Sequence, residues 1–418
     1  MLEKIKAQAG ELGEELITLR RELHQIPELQ LELPRTQARV LAELEDLGLE
    51  ITKCQSATGF VAVLRGEGAP AGEGADAGAD SDAGAGGRER RPIVLLRADM
   101  DALPVEEKTD LTWRSTNGNM HACGHDLHMS ALIGALRILH NQRHALGGDV
   151  IAMFQSGEEG FDGARHMIEE GLLDAAGRTP DHAYGLHVWS GRYPHGYIGT
   201  RPGAMMASSD TVRITVQGRG GHGSAPHEAL DPIPVAAEII TQAQVMVTRE
   251  FNAFDPVVAT CGQIHSGYAA NVINDEVMME WTLRAFSPTS RERLVQRLQE
   301  LAQGIARAHG MDVTCQVKRL YPVTMNNEDE YHFARQTAEE LWPGRWQEQE
   351  TPMAAAEDFS RVLELIPGVF IGVSAVPEGT DATTAAFNHS ARANFSDHVV
   401  PDCAALLAGL AMRRLGNG

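Results

Sequence analysis

Positive charge is what this sequence is short of. Its 418 residues carry 36 Lys and Arg against 57 Asp and Glu, a formal net charge of −21 at pH 7. A nucleic-acid binder needs a basic face to displace phosphate counterions, and an anionic membrane surface asks for the same, so no nucleic acid and no membrane is expected as a partner. Cysteine is scarce too. Five stand at Cys54, Cys123, Cys261, Cys315 and Cys403, an odd number with no Cys-x-x-Cys pair. A disulfide framework and a zinc knuckle are thereby excluded, and a reducing compartment is favoured. No apolar run approaches the ~20 residues of a membrane span. The N-terminal LEKIKAQAGELGEEL is charged from its second position and offers no signal-peptide core. The expectation is a soluble, cytoplasmic protein. There is no Gly-x-Ser-x-Gly elbow, which argues against a serine hydrolase, and no Gly-Lys-Ser/Thr follows the glycines of GRGGHGSAPH, which rejects a nucleotide phosphate loop.

What remains is enough for a core: 43% hydrophobic residues over a length that suits two or three domains. Residues 2–23 read as one stripe of an amphipathic helix stopped by Pro27, and a second helix is predicted from Thr36, as N-cap, to Gly48. Strands follow at 60–64 and 93–101. Between them, 66–91 is Gly, Ala and Asp with little to bury, and reads as a mobile surface loop. A helix near 127–145, a strand at 149–155 and a buried strand at 184–189 complete an alternation that implies a mostly parallel α/β sheet. From about 205 the pattern becomes strand, helix, strand, strand, helix, strand, the split βαβ plan of a small antiparallel sheet. After about 320 the α/β pattern resumes. The expected fold is therefore an α/β catalytic domain (1–204 and 320–418) with an inserted α+β domain (205–319).

Histidine is plentiful, at 17 residues, and it clusters. HACGHDLH (121–128) holds His121, Cys123, His125, Asp126 and His128. A thiolate and an imidazole two residues apart can both reach one borderline-soft cation. The cluster follows a strand that ends in Asp99 and Asp101. FQSGEEG (154–160) sets Glu158 and Glu159 directly after a buried strand. Ligands gather outside the carboxyl ends of strands in open α/β sheets. Two adjacent carboxylates there repel each other unless cations or protons compensate. One can ligate a metal while its neighbour holds a proton taken from water. His187 in YGLHVW and His389 in AAFNHS are ligand candidates only because others end nearby.

RRELHQIPEL (20–29), RADMDALP (97–104), HACGHDLHM (121–129), GEEG (157–160), GLHVW (185–189), GRGGHGSAPH (218–227), ANVI (270–273) and AEDF (356–359) occur in this order. Together they resemble the metal-dependent amidohydrolases that include hippurate hydrolase, indole-acetyl-amino-acid hydrolases and bacterial N-acyl-amino-acid deacylases. The resemblance spans nearly the whole chain, and HACGHD with a downstream GEEG is its most specific part. It implies a dinuclear centre with Cys123, His125, Glu159, His187 and His389 as ligands. It implies Glu158 as catalytic base, and Asp99 and Asp101 as residues that orient the ligands. His222 matches a histidine that in related enzymes reaches the active site of the partner subunit, and Asn271 and Arg284 match substrate-binding positions. The implied cofactor is two divalent ions per subunit, Zn2+ or Mn2+, with Co2+ and Ni2+ also compatible. The implied assembly is a homodimer or higher homo-oligomer, the inserted domain serving as lid and dimerisation domain. The implied substrate is an N-acyl amino acid. The 66–91 stretch departs from the family, whose usual members have a short turn there. A dipeptidase or carboxypeptidase with the same metal chemistry is the rival expectation, and a non-catalytic binding protein of the same fold is another.

Overall fold

The structure is a computed structural model that describes residues 1–69 and 91–416. Most of the 66–91 stretch, from 70 to 90, lies outside the described residues. The chain divides into two compact units. One comprises Met1–Gly203, Asn326–Glu350 and Arg361–Gly418, and the other comprises Ala204–Met325 with Thr351–Ser360. The expected boundaries did not include that return of 351–360 to the smaller unit.

The larger unit is built on a seven-stranded sheet. Its strands are β1 (Glu50–Lys53), β2 (Phe60–Leu64), β3 (Ile93–Asp99), β4 (Asp149–Gln155), β5 (His182–Trp189), β6 (Ile198–Gly199) and the late strand Gly368–Ser374. The order is β1-β2-β4-β3-β5, then Gly368–Ser374, then β6. The middle four strands are mutually parallel, and β1, β2 and β6 join antiparallel at the edges. Every residue of β3, β4 and Gly368–Ser374 is buried, as strands covered on both faces require. Helix α1 (Leu2–Glu11), α2 (Gly13–His24), α3 (Pro34–Ala42) and α4 (His125–Asn141) come from the first half of the chain. Helix α4 packs against the closing helix Val400–Leu415 and against α2.

Two local expectations fail for physical reasons. The stripe over residues 2–23 is shared by two helices that break at Leu12. The second helix starts at Pro34, two residues before Thr36. Proline suits a first helical position, and Thr36 is buried inside the helix, its amide donating to Glu28 Oε2 at 2.8 Å.

The smaller unit carries a four-stranded antiparallel sheet in the order Val257–His265, Glu276–Ala285, Asp210–Gln217, Asp312–Arg319. Residues alternate between buried and more exposed along Asp210–Gln217 and Glu276–Ala285. The buried face, with Val212, Ile214, Val216 and Trp281, packs on helices Pro232–Glu250 and Pro288–Ala308. Both helices open on proline behind a capping side chain: Asp231 accepts the Ile233 amide and Ser287 accepts the Ser290 amide, each at 3.1 Å.

Candidate metal centre

The carboxyl ends of β3, β4 and β5 meet the start of α4, and each supplies part of one cluster. β3 ends on Asp99 and is followed by Asp101. β4 is followed by the turn that holds Glu158 and Glu159. β5 carries His187, and α4 opens on His125. Gly124 makes that last approach possible. It sits at φ 87°, and a Cβ there would lie 2.5 Å from Val188 Cγ2. His389 also lies in the left-handed region, at φ 70°, which costs a non-glycine residue about 1–3 kcal/mol and persists only where the surroundings enforce it. Its amide is fixed by the Ala122 carbonyl at 2.8 Å.

The cluster has two lobes. Donor atoms of Cys123, His125 and His187 lie within 4.8 Å of one another, and so do those of Cys123, Glu159 and His389. Cys123 Sγ belongs to both. It is 3.3 Å from His187 Nε2 and 3.3 Å from His389 Nε2, and His389 Nε2 is 3.1 Å from Glu159 Oε1. His125, Glu158 and Glu159 form a further group within the same 4.8 Å span, so the Glu158 carboxylate borders the lobes.

Hydrogen bonds around the cluster fix which ring atoms face it. His125 Nδ1 lies 2.7 Å from the Asp101 carbonyl, and His187 Nδ1 lies 2.8 Å from the Val188 carbonyl. A carbonyl only accepts, so each Nδ1 carries the proton and each Nε2 presents a lone pair. His125 Nε2 is buried, has no hydrogen-bond partner, and stands 3.4 Å from Asp99 Oδ2. Arg97 already compensates that oxygen, so the orphan is the buried Nε2 lone pair, which a cation in the cluster would satisfy. Burial pushes the Cys123 thiol well up, and the carboxylates of Glu159, Glu158 and Asp99 push it further. Burial likewise holds the His125 and His187 imidazoles low, hence neutral. Sulfur, neutral imidazole and carboxylate converging on one sulfur fit a divalent metal.

Asp99 and Asp101 do different work. Asp101 accepts the Glu158 and Glu159 amides at 3.0 Å each, while its own carbonyl takes His125. One residue thereby ties the carboxylate turn to the histidine. Burial raises the Asp101 carboxyl well above its usual value despite those amides. Asp99 is opposed by burial too, but Arg97, His125 and His128 hold it well below the usual carboxylate range. Its oxygens take Arg97 Nη1 and His128 Nδ1, at 2.6 Å each.

Sequence reasoning gave His128 no role, and the structure gives it one. Its Nε2 accepts the Val188 amide at 2.9 Å, so it links Asp99 to the strand beside His187. The available signal was its position, one helical turn after His125. Asn388 was also missed. Its amide nitrogen donates to the Cys123 and Val188 carbonyls, at 3.1 and 2.9 Å, bracing the residue before His389.

The other expected site residues belong to the smaller unit. His222 is exposed in a two-residue strand paired with Val272–Ile273. Its Nδ1 accepts the Ser224 amide at 3.2 Å, which leaves the proton on Nε2. Asn271 is exposed, and its carbonyl accepts the Gly223 amide at 2.8 Å. Arg284 is half-buried and donates to Ser209 Oγ at 2.5 Å. Among the described residues it forms no ion pair.

Fold and donor set are those of a metal-dependent amidohydrolase. The model of peptidase family M20/M25/M40 matches residues 95–413, and the chain belongs to that family. It is 33% identical over 414 residues to IAA-amino acid hydrolase ILR1-like 2 of Arabidopsis thaliana, covering 98% of this chain and 87% of the relative. It is 34% identical over 362 residues to the hippurate hydrolase of Campylobacter jejuni, covering 85% and 86%. A Bacillus subtilis crystal structure described as a dinuclear metal binding peptidase from the M20 family superposes with a TM-score of 0.79 at 27% identity, covering 97% of this chain and 99% of that one.

Proposed function

We propose that this enzyme hydrolyses the amide bond of N-acyl or aryl-acyl amino acids to a carboxylic acid and a free amino acid. Cys123, His125, Glu159, His187 and His389 would hold two divalent cations, Zn2+ or Mn2+ by the mixture of sulfur, imidazole and carboxylate, with Co2+ or Ni2+ also suited. The observation that carries this is the pair of three-donor lobes meeting at the Cys123 sulfur with the Glu158 carboxylate beside them. When bound, such ions acidify a water and polarise an amide carbonyl. Glu158 takes the proton from the attacking water and then hands it to the leaving nitrogen, general base turned general acid. His222, with its proton on Nε2, is suited to donate to the oxyanion. Arg284, lacking a carboxylate partner among the described residues, is suited to the carboxylate of the amino acid, with Asn271 as a second polar contact.

The names of the two relatives, a hydrolase of an amino-acid conjugate and a hippurate hydrolase, support the substrate class. A second copy of the chain is the inferred partner. The strand Val257–His265 has an unpaired edge among the described residues, Val258 and Ile264 along it are exposed, and Phe254 and Tyr268 nearby are 96% and 81% exposed. No helix of the described residues is long and apolar enough to cross a membrane, and all five cysteines are free. We infer a cytoplasmic enzyme.

Hydrolysis of hippurate, N-acetyl amino acids and dipeptides, measured in parallel with and without a chelator, tests the proposal. Chelator-sensitive cleavage of the acyl amino acids is expected. Cleavage confined to peptides would make the enzyme a dipeptidase or carboxypeptidase. No chelator-sensitive cleavage of any would favour a binding protein.

A further inference from the structure

His187 has a second restraint besides its hydrogen bond to Val188. Its ring is stacked on the indole of Trp189, with centroids 4.3 Å apart and planes 19° apart. The two residues are i and i+2 on β5, so both side chains leave the same face, and their backbones stand about 6.6 Å apart. Rings only 4.3 Å apart must lean together. The space for this comes from the neighbouring strand. Gly372 pairs with His187 in register, and a Cβ at 372 would lie 2.4 Å from Trp189 Nε1. Any larger residue there would push the indole away. Outward of Trp189, the Phe387 ring lies near-parallel at 5.9 Å and 18°, and the Arg192 guanidinium covers Phe387 at 3.9 Å. Imidazole, indole, phenyl and guanidinium form one column, buried at the His187 end and exposed at Arg192. Arg192 holds a left-handed backbone, φ 69°, with its amide fixed by the Ala382 carbonyl at 2.7 Å.

The hydrogen bond at Nδ1 fixes one atom of the imidazole, and His128 and Phe370 meet the ring at steep angles, at 4.8 and 6.2 Å between centroids, so neither lies flat on it. A tilt would swing Nε2 away from Cys123 Sγ. The indole is the near-parallel contact on the ring and opposes such a tilt most directly. An imidazole that donates its lone pair to a cation also gains positive charge, which the electron-rich indole face attracts. We propose that Trp189 is a positioning residue for His187, setting the plane of the ring for metal binding, with Gly372 giving the indole room and Phe387 holding its outer side. This rests on the proposed assignment of His187 as a metal ligand.

Metal affinity of the metal-free protein, read by competition with a chromophoric chelator for Zn2+, tests it without reference to turnover. Trp189→Leu is expected to weaken one of the two ions about tenfold, the size seen when groups that orient a ligand are removed, and to leave the other unchanged. Trp189→Phe, which keeps a flat ring, is expected to restore most of the loss. Phe387→Leu loosens the column from outside and takes the same measurement should Trp189→Leu not fold. Equal affinity for both ions in wild type and in the folded column variants, with His187→Ala losing one ion, would overturn the positioning role while keeping His187 as a ligand. Both ions retained in His187→Ala would overturn the ligand assignment and the positioning role with it.

Discussion

Cys123 sits where three acidic side chains and three imidazoles meet, and its thiol is pushed up by burial and by those carboxylates. A protein that binds a cation there must release the thiol proton, so metal uptake should be proton-coupled. Zinc affinity measured from pH 8 to pH 6 is expected to fall with pH, and more steeply in the wild type than in Cys123→Ala, which should lose metal on dialysis at all these values. An unchanged metal content in that variant would remove Cys123 from the site. Glu158 is a different case. Its neighbours hold the ions in the proposed mechanism and it moves the proton, so Glu158→Gln should keep the full metal content while turnover falls by about 10² or more. Metal analysis and kcat on the same preparation separate the two effects. At this scale the sequence was informative about identities and mute about orientation. HACGHD and GEEG name donors because thiol, imidazole and carboxylate at that spacing suit little else. Nothing in the letters says that two backbone carbonyls turn His125 and His187 to present Nε2, or that Asp101 takes two successive amides. The contacts of His125 and Glu158 with Asp101 cross 24 and 57 residues of chain, and the His187 contact, though to the next residue, depends on which way the strand turns its carbonyl.

Helix α4 delivers His125, and its first turn is anchored from behind. Asp126 lies 3.0 Å from Arg20 Nε and 2.7 Å from His24 Nδ1, all three fully buried, and Arg20 and Arg21 both reach Asp397. Burial alone would raise the Asp126 carboxyl, yet Arg20 and His24 hold it well below its usual value. Burial alone would lower His24, yet Asp126 and Glu107 raise it. The depressed carboxyl contributes stability above its unfolded pKa of about 3.9, and this is lost as pH falls through the folded value. The raised imidazole contributes stability below its unfolded pKa of about 6.5, and this is lost as pH rises through the folded value. Asp126→Asn leaves buried Arg20 with Asp397 as its one carboxylate and takes the carboxylate from His24 Nδ1, which costs on the order of 1–3 kcal/mol. The Tm gap between wild type and Asp126→Asn, measured metal-free, should be widest from about pH 4 to 6.5, close on the acid side and narrow in part on the alkaline side. A gap constant with pH would mean the network does not titrate as described. Elements were largely legible because buried strands and amphipathic helices repeat locally. The break at Leu12 was not, since the apolar stripe runs through it. The antiparallel pairing of Phe60–Leu64 with Asp149–Gln155 was not, since its five buried residues read the same in either direction.

For the whole molecule, the sequence conveyed the α/β plan and the inserted α+β unit through the change of pattern near residue 205. It did not convey the return of Thr351–Ser360 to the smaller unit, a stretch with no helix or strand periodicity. The Gly, Ala and Asp stretch after Gly68 ends at Arg91, whose guanidinium donates to the Gly68 and Gly66 carbonyls at 2.9 and 2.7 Å. The two ends therefore lie within one arginine side chain of each other. Replacing 70–90 by a short Gly-Ser turn is expected to leave kcat, KM and metal content within about twofold, the change in closure entropy being small. A large loss of activity in a folded protein would give that stretch a function. The central claim is that Cys123, His125, Glu159, His187 and His389 together hold two ions. It is tested most directly by anomalous diffraction from crystals grown with Zn2+, recorded on both sides of the metal edge. Two peaks should appear among these five residues, with Cys123 Sγ about 2.3 Å from metal. A single peak, or peaks with no bond to Cys123, would contradict it.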